Sequence, residues 1–239
     1  MIDISSPKDR LILIITFVMA AFALFTVVTG KGFMHRIFRP KIENNNAGSV
    51  VFQRLTGLVL FGVLPMLTVW FWFRGSIEQY GFIWPKYNYV LYVVIGLALV
   101  LPVVNYFNSK RSDTIKMYPQ IRNLNWSPGL FLMNSMTWAM YLFAYEFMFR
   151  GVLLFGALET MGVYYAIALN TVIYSIYHFP KGKKESIASI PFGIVLCLIA
   201  VETSSFFYPF LLHLTLALSN DGFSLRAHPD MRLSFRRKG

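Results

Sequence analysis

The chain holds a single cysteine, Cys197, among 239 residues, so no internal disulfide can form. Its apolar sequence setting reads as that of a small buried side chain. Charge is scarce as well: 14% of residues are Asp, Glu, Lys or Arg, where a soluble domain carries about a quarter. The pattern contains no internal repeat, no low-complexity tract, no soluble second domain and no His-Glu-x-x-His zinc motif. These absences exclude a disulfide-stapled fold, a repeat array and an ordinary soluble domain.

What fills the chain is hydrocarbon. Residues are 56% hydrophobic and 17% aromatic, and the mean hydropathy is +0.54. Several windows of about 18 or more nearly uninterrupted apolar residues are long enough for bilayer-spanning helices. Seven spans are expected: Leu11–Thr29, Leu55–Phe73, Tyr89–Phe107, Gly129–Leu158, Val163–His178, Ile187–Val201 and Phe206–Asn220. The expected fold is therefore all-α, a polytopic membrane helical bundle in one domain over residues 1–239. The first run is too long, and lacks the cleavage site, for a signal peptide. Between spans, Lys31–Ser49 mixes Phe33, Met34, Ile37 and Phe38 with basic residues, which predicts a short interfacial helix and an Asn44–Gly48 turn. Ser127-Pro128-Gly129 reads as a helix start. Trp70, Trp72, Trp84 and Trp126 fit interfacial belts.

The formal net charge of +11 is unevenly spread. With connectors assigned alternately to two sides, Lys8, Arg10, Arg74 and Lys86 share one side. The other collects seventeen Lys and Arg, Arg54 and the basic tail 221–239 among them. The positive-inside rule then puts the N-terminus outside and the C-terminus in the cytoplasm of a cell inner or plasma membrane. The tail is expected to touch anionic membrane lipids, with no nucleic acid as partner.

Glu146 and Arg150 lie four residues apart inside an apolar run, where each charge costs a few kcal/mol. That spacing is a favourable helical ion pair, and the arginine keeps the carboxylate ionised. Glu146 and His178 are each 16 residues from Gly162, so a hairpin turning at Glu159–Gly162 brings both to one depth, roughly 24 Å from the turn. His213, on the last span, joins them if that helix tilts. An ionised Glu beside a neutral imidazole can activate water, and a second histidine can donate to an oxyanion. The blander readings are a structural ion pair, an interfacial His178 and a packing His213. Asn105, Asn134 and Asn170 read as interhelical hydrogen-bonding residues, Glu202 as a loop residue and Glu185 as a partner for nearby lysines.

Tyr145-Glu146-Phe-Met-Phe-Arg150-Gly151 resembles the Glu-Glu-x-x-x-Arg-Gly signature of the CAAX prenyl protease and bacteriocin-processing family of intramembrane proteases. Tyr174-Ser-Ile-Tyr-His178 resembles its Phe-x-x-x-His motif, and His213-Leu-Thr-Leu-Ala217 its His-x-x-x-Asn motif. The resemblance covers about Pro128 to Asn220, the family-like core. It implies a metal-free endopeptidase, without cofactor, acting on a peptide or membrane-protein substrate, lipid-modified or not. In the family the leading glutamate and the second-motif histidine activate water, and the third-motif histidine and asparagine stabilise the oxyanion. Here the leading glutamate falls on Tyr145, a poor base, and the asparagine on Ala217. The candidate catalytic residues are Glu146, His178, His213, Arg150 and Tyr145. Three alternatives stand beside this: a His2Glu zinc site on Glu146, His178 and His213, a non-catalytic peptide-binding or scaffold member, and a transporter. A topology reporter fused after Gly239 is expected to read cytoplasmic and one placed before Met1 external; the reverse pattern would overturn the assigned orientation.

Overall fold

Proline at the first helical position opens α1 (Pro7–Thr29), where its missing N–H leaves no helical acceptor unpaired. The computed structural model describes residues 6–30, 32–34, 46–71, 76–85 and 89–234. α1 buries Leu11, Ile14, Val18, Ala21 and Phe22, a stripe at helical spacing. Then come α2 (Ala47–Phe71), α3 (Val90–Asn108), α4 (Ser112–Met117), α5 (Pro128–Glu146), α6 (Leu154–His178), α7 (Lys183–Thr203) and α8 (Phe207–Ala227). The Ser127 hydroxyl caps α5 by accepting from the Leu130 N–H at 3.1 Å. Two π-helical turns interrupt the regular pattern, Val59–Val63 within α2 and Phe147–Leu153 between α5 and α6.

The apolar run Pro128–His178 spans 51 residues and breaks at Gly162, whose φ of 73° and ψ of 174° suit glycine alone. The turn expected at Glu159–Gly162 is therefore present, and the two arms are bonded where the Asn170 side chain donates to the Phe149 carbonyl at 2.6 Å. Arg10 pairs with Glu159 at 2.9 Å and the Thr160 hydroxyl donates to the Pro7 carbonyl at 3.1 Å. These contacts fix the start of α1 beside the turn, at one end of the bundle. Asn105 likewise donates to the Leu216 carbonyl and to Ser219, joining α3 to α8.

Among the described residues five helices are long and apolar enough to cross a membrane, the 51-residue run counted once. α8 is not among them. It corresponds to the expected seventh span but runs on to Ala227 and carries His213, Asn220 and Asp221, which dilute its hydropathy. The chain is an all-α, multi-pass membrane protein, with the count of seven not reached on this measure.

Four expectations need correction. Trp126 is no belt residue: it is 1% exposed, packed with Val50, Ile121, Leu225 and Met231. Its short strand β1 (Asn125–Trp126) pairs in parallel with β2 (Arg232–Leu233) and draws the ring inward. Arg54 is no solvated topology charge: it is 2% exposed, with bonds to Asn134, Thr137 and Gln120. Glu202 lies within the last turn of α7, not in a loop. Glu185 accepts from the Tyr118 hydroxyl at 3.1 Å, while Lys184 pairs with Asp113 at 2.7 Å. Of the expected interfacial helix, Phe33 and Met34 sit in a helical turn; Ile37, Phe38, Asn44 and Asn45 lie outside the described residues, as does Trp72, while Ala47 and Gly48 of the expected turn are already the first residues of α2. Trp70 and Trp84 are exposed.

A Cβ at Gly162 would meet no atom, so its penalty is backbone strain alone. Gly162→Ala is expected to cost about 1–3 kcal/mol, whereas Gly222→Ala, inside α8 with open space around it, should be neutral or slightly stabilising. Thermal unfolding in detergent compares the two, and equal melting would contradict the strained turn.

Candidate active site

The last α-helical residue of α5 is Glu146, and the π turn that follows carries Arg150. Both side chains are fully buried. The Arg150 guanidinium lies 3.1 Å from Glu146 Oε2 and donates to Oε1 at 3.2 Å. The same Oε1 is 2.5 Å from Nδ1 of His213, which arrives from α8. A carboxylate only accepts here, so His213 donates through Nδ1. Arg150 also stacks on the Tyr174 ring, with its central carbon 4.2 Å from the centroid.

Room for this stacking comes from α7. A Cβ at Gly193 would approach Tyr174 Cδ1 to 3.0 Å and an Arg150 nitrogen to 3.6 Å. Nε and the second terminal nitrogen of Arg150 have no hydrogen-bond partner among the described residues.

His178 comes from the far end of α6. Its Nδ1 is 2.9 Å from the Tyr174 carbonyl, an acceptor only, so this ring too donates through Nδ1. The His178 ring lies tilted by 48° against Tyr174, centroids 4.4 Å apart, and stands 6.5 Å from the Tyr145 ring. Tyr145 is buried, and its ring lies 5.8 Å from the His213 ring and 6.0 Å from that of Tyr174. Phe22 of α1, itself stacked on Phe61 of α2 at 4.4 Å, reaches Tyr145 at 6.0 Å. Both imidazole rings therefore stand edge-on to the Tyr145 ring.

The residues singled out in sequence thus lie together, but in a different pairing. The sequence sets Glu146 against His178 across a water; the partner the structure gives it is His213. The reason is angular. Neighbouring helical positions point about 100° apart, so the Tyr145 ring lies between the two imidazoles while the Glu146 carboxylate reaches His213 on α8. Ala217, one turn beyond His213, presents only a methyl group. Among the described residues no group of three or more His, Cys, Asp or Glu is placed to hold a metal ion, so the set Glu146, His178 and His213 is not assembled as ligands.

Beside His178, the segment holding α4 is tied to the start of α7 by the Asp113–Lys184 and Tyr118–Glu185 contacts. Hydrogen bonding to the Lys184 ammonium holds the Asp113 carboxyl below its ordinary range. Burial, with Glu185 close by, pushes the Tyr118 hydroxyl well above its own. Sequence reasoning missed Gly193 and a second buried cluster of Arg54, Trp138 and Asp221; the acidic residue directly after Asn220, on a helix read as ending there, was the available signal.

Removing Arg150 leaves the Glu146 carboxylate buried with one cationic partner fewer. Arg150→Ala is expected to destabilise by about 3–5 kcal/mol, and adding Glu146→Gln should restore part of the loss. Thermal unfolding of the single and double variants reads this; independent, additive losses would contradict the coupling.

Residues 125–219 match the family model described as type II CAAX prenyl endopeptidase Rce1-like. No curated protein and no solved structure matches the chain. The matched stretch contains Glu146, Arg150, His178 and His213 in the geometry above, and over it the chain is similar to the Rce1-like, CAAX prenyl endopeptidase family.

Proposed function

We propose that the chain is an intramembrane endopeptidase in which the Glu146–His213 pair activates water. The carrying observation is the buried 2.5 Å contact between His213 Nδ1 and Glu146 Oε1, backed by Arg150. Glu146 has no exposed surface, whereas the His213 side chain keeps 10% of its own. In this reading the imidazole is the group that water meets, and the carboxylate acts from behind it.

In this reading water attacks the scissile carbonyl carbon while His213 Nε2 takes its proton. The Glu146 carboxylate stabilises the imidazolium that results. The carbonyl oxygen becomes the oxyanion, and the Tyr145 hydroxyl, in the position of the family's leading glutamate, donates to it. His178 orients the water through Nε2. His213 then returns the proton to the leaving amine, and the peptide C–N bond breaks. The substrate is a peptide or membrane-protein segment, lipid-modified or not, entering from the basic, cytoplasmic side of a multi-pass chain with its N-terminus outside. Residues 1–239 act as one integral-membrane domain, with the chemistry confined to 128–220.

A second reading rests on one observation: Tyr145 and Ala217 stand where the family has a carboxylate and an amide. A member so altered would bind membrane peptides without cutting them.

The test is cleavage of a membrane-peptide library in vesicles. His213→Ala and Glu146→Gln are expected to lower turnover by about 10²-fold or more while keeping the helical spectrum, and a zinc chelator should change nothing. Tyr145→Phe should slow cleavage and leave binding intact. Absence of cleavage by the wild type with gain of cleavage in Tyr145→Glu would replace the first reading with the second.

A further inference from the structure

α5 and α8 run antiparallel and are bonded to each other at two buried levels. One is Glu146–His213. At the other, Asp221 Oδ2 accepts from the indole N–H of Trp138 at 2.7 Å and from the Asn134 amide at 3.0 Å. Trp138 and Glu146 are eight residues apart on α5, and His213 and Asp221 are eight apart on α8. Both intervals equal about 12 Å of helix, so the two levels share one register. Asn134, Trp138 and Asp221 are all buried.

α2 locks the second level. The Arg54 guanidinium lies over the Trp138 ring at 4.1 Å and donates to the Asn134 side chain and carbonyl at 3.0 Å, with Asp221 at 3.9 Å. A guanidinium, a carboxylate, an amide and an indole therefore close on one point of the α5–α8 interface. Apolar packing alone tolerates a small slide or rotation of one helix on another. Two charged levels in one register do not, because a shift that suits one strands the other in a medium that cannot solvate it.

We propose that Asp221 is a positioning residue that sets the height and rotation of α8, and so presents His213 to Glu146. It touches no reacting atom and acts through His213. Its importance for turnover rests on the endopeptidase reading; its effect on the His213–Glu146 bond does not.

That bond has its own signature. A proton held in a 2.5 Å contact between an imidazole nitrogen and a carboxylate is strongly deshielded. The full-length chain, labelled with ¹⁵N-histidine and placed in lipid nanodiscs, carries four histidines to distinguish: His35, His178, His213 and His228. The downfield resonance is expected in the wild type and lost in His213→Gln and Glu146→Gln, which assign it. Asp221→Ala should abolish it or move it upfield. Asp221→Asn, which still accepts from Trp138, should keep it.

A wild-type resonance persisting in Asp221→Ala, with only the melting temperature lowered, would overturn the proposal by making Asp221 a stability residue. Should Asp221→Ala not fold, Trp138→Phe removes the indole donor alone, and an unmoved resonance there would overturn the proposal equally. A shifted resonance in a protein without hydrolytic activity would uphold the positioning role and reject the catalytic reading.

Discussion

A carboxylate without any exposed surface is held between a guanidinium and an imidazole, and much of the bundle is arranged around that fact. Glu146 cannot be solvated by lipid, so its charge demands partners from the protein. Arg150 supplies the first from the next turn. His213 supplies the second from a helix far along the chain. The helix carrying His213 must then pack against α5 in one register, and Gly193 must leave space for the guanidinium to lie on Tyr174. The site and the helix packing are one electrostatic problem.

The two histidines illustrate how backbone and side-chain acceptors set chemistry. Each donates through Nδ1, His178 to a carbonyl and His213 to a carboxylate. Within the endopeptidase reading both rings start neutral, and Nε2 is then the basic atom of each. Their electrostatic settings differ: the Nδ1 acceptor is the Glu146 carboxylate at His213 and a backbone carbonyl at His178. An imidazolium is therefore better stabilised at His213. This asymmetry assigns the proton acceptor within the endopeptidase reading.

Much of the architecture was legible in the residues. Apolar runs gave the membrane class, and Gly162 marked the turn, because its backbone conformation is open to glycine alone. Ser127-Pro128 gave the start of α5 through capping chemistry. The identity of Glu146's partner was not legible: equal distance from Gly162 gives depth but not direction around the helix. Arg54 looked like a topology charge because cations near span ends usually are; its burial depends on Asn134, Thr137 and Asp221, acceptors remote in sequence. Asp221 was hidden for the same reason, since Ser219-Asn220-Asp221 reads as the exit from a span until Trp138 and Asn134 face it.

The stretch that carries the family likeness, 125–219, is not self-sufficient. Tyr145 packs against Phe22 and Phe61, which belong to α1 and α2 and lie before it. Arg54 lies before it as well, and Asp221 two residues beyond it. In this chain a substitution in α1 or α2 can therefore shift the Tyr145 ring without altering any residue of the matched block.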